Sequence, residues 1–335
     1  MLKFLLCLSS FLLFLTACSQ TDAPNQAQPT PAKQTQSAPA SSPTSTKQPS
    51  GEAAPAAPIS SSKPAVPSHT PASTTPATTQ TKSSGLPKPE HVVIVVEENH
   101  SFDKVIGNKS APYMNALTQQ GAFFTQSFAM THPSQPNYLI LYSGSDQGVK
   151  DDSCGHTFGT DNLGSELLNA KLSFGGYSED LPSVGSTVCT NHQYGRKHSP
   201  WVDFSNVPKE WNMPLQSFPT EDFSKLPTIS YVIPNLDHDM HDGTINAADN
   251  WLKLHLDPYI QWAKNHNSLV ILTWDEDDSS KKNHIPTLFV GPMVVSTKSD
   301  QPITHLNVLR TLEDMYNLPY AGKSGDVEPI TGVWK

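Results

Sequence analysis

The chain has 335 residues and a formal net charge of −9, from 22 basic and 31 acidic side chains. This charge argues against nucleic acid as a partner, because binding to a phosphate backbone needs a basic face. The length is sufficient for an α/β domain with a full hydrophobic core. If the substrate is an anion, basic side chains near the site must offset the negative charge of the chain.

The N-terminus reads MLKFLLCLSSFLLFLTACSQ, with Lys3 before an apolar run that is too short to span a bilayer. The stretch LTAC resembles a bacterial lipobox. We therefore predict a lipoprotein signal peptide over residues 1–17 and lipid attachment to the thiol of Cys18. An ordinary secretory signal is the alternative, and either signal exports the protein. We expect a lipoprotein of the cell membrane that faces outward.

Residues 18–85 consist almost entirely of Pro, Ala, Ser, Thr, Gln and Lys. Such a segment has too few large apolar side chains to offset the entropy of ordering it. We predict a lipid-anchored, disordered linker with an r.m.s. reach of about 50 Å. Residues 86–335 remain for one catalytic domain, which we expect to be monomeric.

Three short apolar runs alternate with helical stretches, a pattern typical of a buried, largely parallel sheet. They are HVVIVV at 91–96, TISYVIPN at 228–235 and SLVILTW at 268–274, and each leads directly into carboxylates. Ligands of open α/β sheets bind at the carboxyl ends of the strands, and clustered carboxylates repel one another unless a cation lies among them. We predict a three-layer α/β/α sandwich with a divalent metal ion at this edge, although each acidic segment alone is also compatible with a solvated turn.

The octapeptide THPSQPNY, at 131–138, follows a further predicted strand and begins a helix. Ser134 has two interpretations. Its hydroxyl is either an N-cap for the helix, or a nucleophile at a helix N-terminus whose free N–H groups bind an anion. A neighbouring metal ion would activate the hydroxyl without a separate base.

Two cysteines, Cys154 and Cys189, remain after the signal peptide and the proposed lipid anchor are set aside. In an oxidising compartment they are expected to form a disulfide, worth roughly 4 kcal/mol on the chain-entropy model. A thiolate metal site is the alternative, but no C-x-x-C spacing supports it.

Four longer motifs carry a family resemblance: HVVIVVEENHSFDKVIG, HPSQPNYLILYSG, VILTWDEDD and THLNVLRTLED. They resemble successive motifs of the bacterial phosphoesterase family, which includes secreted acid phosphatases and phospholipases C within the alkaline-phosphatase-like superfamily. The resemblance implies a phosphoesterase domain that hydrolyses small phosphate monoesters, phosphoinositides among them, through a phosphoserine on Ser134. It also implies one or two divalent ions, with Mg, Mn, Ca and Zn all compatible.

The resemblance assigns roles residue by residue. The implied metal ligands are Glu98, Asn99, Asp237, Asp275 and Glu276. The implied catalytic residues are Ser134, His198, His241 and His305. Lys197 and His238 are the expected substrate-binding residues.

Several alternatives remain open at this point. His238, His241 and His305 could hold the phosphoryl group directly if one metal ion suffices, and His284 rivals His305 as the third histidine. His132 is expected to be a packing residue at the helix entry, and Asp277 and Asp278 could stand behind the metal ligands. A phospholipase C-type phosphodiesterase and a non-catalytic binding lipoprotein are the alternative functions.

Overall fold

The computed structural model describes residues 85–335. The predicted signal peptide, Cys18 and all of the predicted linker except residue 85 lie outside the described residues. Among residues 85–335, no helix has the length and apolar character needed to cross a bilayer.

An eight-stranded sheet forms the centre of the described fold, and two further pairs of short strands accompany it. In chain order the strands are β1 (His91–Glu97), β2 (Ala122–Phe124), β3 (Ser127–Phe128), β4 (Phe174–Ser178), β5 (Thr190–Asn191), β6 (Tyr194–Gly195), β7 (Asn212–Pro214), β8 (Ile229–Ile233), β9 (Ser268–Trp274), β10 (Thr287–Val290), β11 (Thr297–Ser299) and β12 (Ile303–Thr304).

The strand order of the large sheet is β11-β2-β10-β9-β1-β8-β4-β7. Strand β10 is antiparallel to both β9 and β2, and the other pairings are parallel. β3 pairs with β12 in parallel, and β5 pairs with β6 as an antiparallel ribbon. The parallel arrangement brings the carboxyl ends of β1, β4, β8 and β9 to one edge.

Helices cover both faces of the sheet. They are α1 (Phe102–Val105), α2 (Pro112–Leu117), α3 (Ser134–Ser143), α4 (Leu163–Asn169), α5 (Ile245–Ala263) and α6 (His305–Tyr316).

Strand β1 shows why the sheet has two cores. Its residues from Val92 to Val96 are fully buried, which explains their continuous apolar sequence. Val92 and Ile94 belong to a hydrophobic cluster with α3, α4 and α6, whereas Val93 and Val95 belong to another with α2 and α5. Alternate side chains of a strand point to opposite faces. The predicted three-layer α/β/α sandwich with a largely parallel sheet is therefore confirmed.

Helix α3 lies deep in one of these layers, and all ten of its residues are buried. Pro133 is its N-cap and Gly144 ends it in the left-handed conformation, with φ of 65°. A Cβ at Gly144 would lie 2.1 Å from the carbonyl oxygen of Ala321, so only glycine fits both the conformation and the contact. This fixed C-terminus helps to set the position of the opposite end, which begins at Ser134.

The predicted disulfide is confirmed between Cys154 and Cys189, whose Cα atoms lie 5.8 Å apart. It joins the segment after α3 to the segment that follows β4. The bond therefore closes a loop at the carboxyl edge of the sheet.

Candidate active site

The carboxylates that follow three parallel strands converge at one edge of the sheet, as the sequence predicts. The backbone N–H of Glu98 donates to the carbonyl of Asp239 at 2.7 Å, and the N–H of Asp275 donates to the carbonyl of Glu97 at 2.9 Å. The N–H of Asn99 donates to Oδ1 of Asp275 at 3.1 Å. The ends of β1 and β9 and the loop after β8 are thus joined directly.

Glu98, Asp239 and His198 form the centre of this cluster, with one donor atom from each within 4.8 Å of the others. The imidazole lies between the two acids: Nε2 is 3.1 Å from Oε1 of Glu98, and Nδ1 is 3.3 Å from Oδ2 of Asp239. The ring of Tyr138 stacks on the imidazole with centroids 4.9 Å apart. All four side chains are buried.

Burial and mutual repulsion act on the ionisation of this cluster. Burial, followed by the charges of Asp275 and Asp239, raises the pKa of Glu98 well above its usual range. Burial raises the pKa of Asp275 to about 6, against opposing hydrogen bonds from Asn99 and Ser134. Burial also lowers the pKa of the His198 imidazole well below its ordinary value. Burial therefore opposes the charged form of each of these three side chains.

Several donor atoms of the cluster have no hydrogen-bond partner within residues 85–335. They are Oδ2 of Asp275, together with Nε2 of His198 and Oδ2 of Asp239, whose contacts described above lack hydrogen-bond geometry. Unpartnered buried oxygens are rare in native proteins, and carboxylate oxygens with an imidazole nitrogen are ordinary ligands for a divalent ion. The donor set of Glu98, Asp239, Asp275 and His198 therefore fits a metal ion.

Ser134 is the first residue of α3 rather than its N-cap, and the N-cap makes no side-chain capping bond. The N-cap interpretation of Ser134 is therefore wrong. Its hydroxyl, 2% exposed at the residue level, donates instead to Oε2 of Glu98 at 3.0 Å. One turn later, Tyr138 donates to Oε1 of the same carboxylate at 2.5 Å. Residues four apart share a helix face, so α3 presents both hydroxyls to Glu98.

One N–H group at the start of α3 already has a partner within the chain. The N–H of Gln135 donates to Oδ1 of Asp152 at 3.0 Å, and Pro136 has no N–H. The chain's own carboxylate thus occupies the place that the sequence suggested for a bound anion. The other oxygen, Oδ2 of Asp152, accepts from Nζ of Lys197 at 2.9 Å. Basic side chains beside the start of α3 are further candidates for phosphate contacts.

Lys197 and His241 supply those side chains. Nζ of Lys197 lies 3.0 Å from Nε2 of His241, whose Nδ1 lies 2.8 Å from Oδ1 of Asp242. Burial alone would lower the pKa of Lys197, but the hydrogen bond to Asp152 and the charge of Glu98 outweigh it, so the net shift is upward. Lys197 therefore remains an ammonium beside the acidic cluster.

The loop after β8 places Asp239, not Asp237, in the cluster. Oδ1 of Asp237 accepts from Gln193 at 2.9 Å, and Nδ1 of His238 lies 2.9 Å from Glu179. Two backbone features set this arrangement. Met240 has a positive φ of 80°, and a Cβ at residue 243 would lie 1.8 Å from the carbonyl oxygen of Asp237, which requires the glycine present there.

The acids beyond Asp275 make a second layer of contacts. Oε2 of Glu276 lies 2.8 Å from Nδ1 of His132 and accepts from Asn137 at 3.3 Å. Nε2 of His132 lies 3.4 Å from Oδ1 of Asp277. Burial, then the charges of Asp275 and Asp152, raises the pKa of Glu276 to about 9. His132 thus links two acids to the chain entering α3, which is more than the packing role expected for it.

The histidine of the cluster with Glu98 and Asp239 is His198, and neither His305 nor His284 belongs to that cluster. Nε2 of His305 donates to the carbonyl of Trp274 at 2.9 Å, and burial lowers its pKa to about 4. His284 donates through Nε2 to the carbonyl of Thr125 at 3.0 Å and stacks on Phe102 at 4.6 Å. His305 thus anchors the end of β9 one residue before Asp275, and His284 packs between aromatic rings.

Sequence reasoning missed three residues of this site. Asp239 lies within the motif HDMHDG and carried a detectable signal. Tyr138 lies four residues after Ser134, so helical spacing was enough to find it. Asp152 gave no local signal, since its contacts come from distant parts of the chain.

The sequence is similar to a known family and to known phosphatases. Residues 108–319 match the model of the Phosphoesterase family. The chain is 52% identical over 254 residues to phosphatidylinositol-3-phosphatase of Mycobacterium tuberculosis, covering 75% of this chain and 85% of the relative. It is 31% identical over 247 residues to the phosphate-repressible acid phosphatase of Penicillium chrysogenum, covering 68% of this chain and 58% of that protein.

Among solved structures, an alkaline phosphatase superfamily protein from Vibrio parahaemolyticus superimposes with a TM-score of 0.50 at 13% identity, over 73% of this chain and 71% of that one. At this identity the likeness bears on the fold. The family match, the curated relatives and the cluster beside Ser134 lead to one assignment: the chain belongs to the Phosphoesterase family and is a hydrolase of phosphoric esters.

Proposed function

We propose that this protein is a metal-dependent phosphomonoesterase in which Ser134 is the nucleophile and becomes transiently phosphorylated. The observation that carries the proposal is the hydroxyl of Ser134, buried at the start of α3 and 3.0 Å from a carboxylate of the acidic cluster. A nucleophile next to a group that can bind its proton or a cation is the arrangement that covalent catalysis requires.

Glu98, Asp239, Asp275 and His198 would hold the metal ion. When bound, it would polarise the phosphoryl oxygens and lower the pKa of the serine hydroxyl. Three of these residues, Glu98, Asp239 and Asp275, belong to chain segments that are hydrogen-bonded to one another at the carboxyl edge. Substitution of one ligand is therefore expected to disturb the others.

The protein's own groups orient the nucleophile. Tyr138 donates to Oε1 of Glu98 and thereby leaves Oε2 for the hydroxyl of Ser134. Because both donors project from the same face of α3, the carboxylate is held between them. Ser134 Oγ is consequently positioned before a substrate arrives, which reduces the entropy cost of attack. In that attack, Oγ gives its proton to Oε2 of Glu98 and forms a bond to phosphorus, while the bond between phosphorus and the alcohol oxygen breaks and the alcohol leaves with a proton. Attack of water on the phosphoserine then releases inorganic phosphate and restores Ser134.

Lys197 is the proposed phosphate-binding cation. An ammonium group has three N–H donors, and contacts to Asp152 and His241 use two directions. The third is available for a non-bridging phosphoryl oxygen. Lys197 thus provides a local positive charge for an anionic substrate, although the chain as a whole has a net charge of −9. His241 lies beside this ammonium and accepts from it through Nε2, which helps to fix the direction of the remaining N–H.

For the substrate class, we draw on the named activity of the mycobacterial relative. The match with this chain covers 85% of that protein's length. We propose that phosphate monoesters on inositol headgroups are among the substrates. We further propose export and outward display through acylation of Cys18. The Cys154–Cys189 bond supports this location, since structural disulfides persist in oxidising compartments.

The test compares kcat/KM for p-nitrophenyl phosphate and bis-p-nitrophenyl phosphate in the parent protein and in Lys197→Ala. A monoester has an additional negative charge for Lys197 and the metal site to bind. A diester would leave such a donor unpaired, at a cost of about 1 to 3 kcal/mol, or roughly ten- to hundredfold in rate. We expect the monoester to be preferred by at least that factor, and Lys197→Ala to reduce the preference.

Lys150→Ala is the control, because Lys150 pairs with Asp146 in a mostly exposed ion pair outside the cluster. Equal rates on the two esters, or faster diester hydrolysis, would favour the phospholipase C-type alternative. Absence of turnover of both esters after metal add-back would favour a binding lipoprotein.

A further inference from the structure

The segment Leu181–Cys189 lies at the same edge of the sheet as the proposed active site. It follows the carboxyl end of β4 and leads through the β5–β6 ribbon directly into Arg196, Lys197 and His198. At its base, Glu179 contacts His238 in the loop that carries Asp239. We call this segment the edge loop.

The edge loop has an unusual surface for this chain. Residues 181–191 read LPSVGSTVCTN and contain no charged side chain, although the chain as a whole has a net charge of −9. Val184 is 54% exposed and Val188 is 41% exposed, on either side of Gly185. Single exposed apolar residues are common, but two on one uncharged loop at the rim of a site form a patch of the kind that contacts partners or membranes.

The loop is also firmly held. Gly185 donates its N–H to the carbonyl of Asn212 at 2.8 Å, and the side chain of Asn212 donates to the carbonyl of Ser186 at 2.8 Å. Arg196 donates to the carbonyls of Thr187 and Cys189 at 3.1 and 2.9 Å, and the disulfide ties the end of the loop. The fold therefore holds both valines outward in a defined conformation, and their exposure is not the result of an unanchored segment.

Hydrogen-bond donors line a cavity of about 360 Å³ next to the loop. Its wall includes Ser186, Thr187, Ser205 and Lys209. Arg196 and Asp203 also line it, but they are paired with each other at 2.6 Å. Hydroxyl and ammonium donors suit the ester and phosphate oxygens of a lipid headgroup. Apolar side chains at the rim with polar donors beside them match the two zones of a bilayer surface.

We propose that the edge loop is a membrane-docking surface, in which Val184 and Val188 enter the boundary between headgroups and acyl chains. The donors of the neighbouring cavity then contact headgroup oxygens. This docking directs the carboxyl edge, and with it Ser134, toward phosphorylated headgroups in the bilayer. The inference rests on the proposed function in one respect, namely that the substrates include phosphate monoesters on lipid headgroups.

The test uses the full chain with Cys18→Ser, so that the proposed acyl anchor does not mask docking by the loop. The double variant Val184→Ser with Val188→Ser is compared with Leu254→Ser, which removes a 72% exposed apolar side chain from α5. Each protein is assayed on phosphatidylcholine vesicles that contain phosphatidylinositol 3-phosphate, on a water-soluble short-chain analogue of that lipid, and in vesicle co-sedimentation.

We expect the double variant to lose about tenfold or more in kcat/KM on vesicles and in co-sedimentation, because less apolar surface enters the bilayer. The rate of the double variant on the soluble analogue should stay within about twofold of the parent, because that substrate involves no bilayer contact. Leu254→Ser should stay within about twofold of the parent in all three assays, because Leu254 lies outside the proposed docking surface. The intact soluble rate also shows that the variant is folded.

The docking proposal would be overturned if the double variant lost equal activity on vesicles and on the soluble analogue. It would also be overturned if the binding of the double variant to vesicles and its rate on them were unchanged. Failure of the parent to sediment with vesicles would overturn it as well, and would point to a protein partner for the patch. A parent that sediments through the loop but hydrolyses no monoester would instead contradict the proposed function and leave docking supported.

Discussion

We compare two regions of the described fold that contain buried carboxylates, of which only one has the features of an active site. At the carboxyl edge, burial raises the pKa of Asp275 to about 6. Between α4 and α6, burial, followed by the charge of Glu313, raises the pKa of Glu166 to about 9, and burial raises that of Glu313 to about 7. Both regions also contain carboxylate oxygens without hydrogen-bond partners in residues 85–335.

The two regions differ in what faces the acids. The edge carboxylates contact the hydroxyls of Ser134 and Tyr138 and the imidazole of His198. In the helical pair, Glu313 accepts from the backbone N–H of Ala321 at 2.8 Å. A raised pKa and an unpaired oxygen are thus poor evidence for a site on their own. Several chemically different groups that converge at the ends of strands are better evidence.

The strongest test of this distinction is Ser134→Ala. Removal of the nucleophile is expected to lower kcat by about 10⁴-fold or more, whereas Ser134→Thr should keep part of the activity because a hydroxyl remains. Steady-state assays with p-nitrophenyl phosphate and intact-mass detection of a phosphorylated intermediate provide the measurement.

Ser143→Ala is the matched control for Ser134, since it lies in the same helix and its hydroxyl donates to the backbone of Leu139. It should alter stability without a comparable loss of rate. A near-normal rate in Ser134→Ala would remove the serine from the mechanism.

The second test separates Asp239 from Asp237. We expect Asp239→Asn to lose bound metal and about 10²- to 10³-fold in activity, because it replaces a charged ligand of the cluster. Asp237→Asn should keep the metal, since Asp237 contacts Gln193 instead. Elemental analysis of both purified proteins, together with activity after chelation and metal add-back, is the measurement. The reverse pattern would show that the cluster has been assigned to the wrong acid.

The smallest expected effect concerns the helical pair, where Glu166→Gln should stabilise the protein. The pKa of Glu166 is about 9 in the folded chain against a reference value of 4.5, so the unfolded chain releases the proton first as pH rises. The contribution of Glu166 to the free energy of unfolding is therefore fully present below about pH 4.5 and is lost as pH rises toward 9. The variant should raise the free energy of unfolding at pH 8 on the order of 1 to 3 kcal/mol and flatten this decline.

Urea unfolding of parent and variant at pH 5 and pH 8 is the measurement for Glu166. Its kcat should remain unchanged at either pH. A loss of activity with retained stability would mean that the helical carboxylates form a functional site after all, and the contrast between the two regions would fail.

Much of this architecture was readable from the sequence. The predicted strand at 268–274 coincides with β9, the run at 91–96 differs from β1 by one residue, and the run at 228–235 contains β8. Continuous apolar runs identify buried parallel strands reliably because both faces are covered. The convergence of carboxylates followed from the topology of such sheets, and the disulfide followed from the cysteine count and the predicted export.

The remaining details depend on contacts that no local pattern encodes. Asp237 and Asp239 are chemically identical and two residues apart, and the backbone at Met240 and Gly243 decides which one faces His198. Likewise, His305 opens α6, but the position of its ring is set by the carbonyl of Trp274, from another element. Residue type was predictable at these places, whereas side-chain direction was not.

The position of Asp152 relates the spacing of the site to the disulfide. Asp152 holds both the start of α3 and Lys197, and it lies two residues before Cys154. A chain with both cysteines reduced lacks the covalent link to Cys189 beside this carboxylate. The lysine and the nucleophile would then depend for their spacing on the two contacts of Asp152 alone.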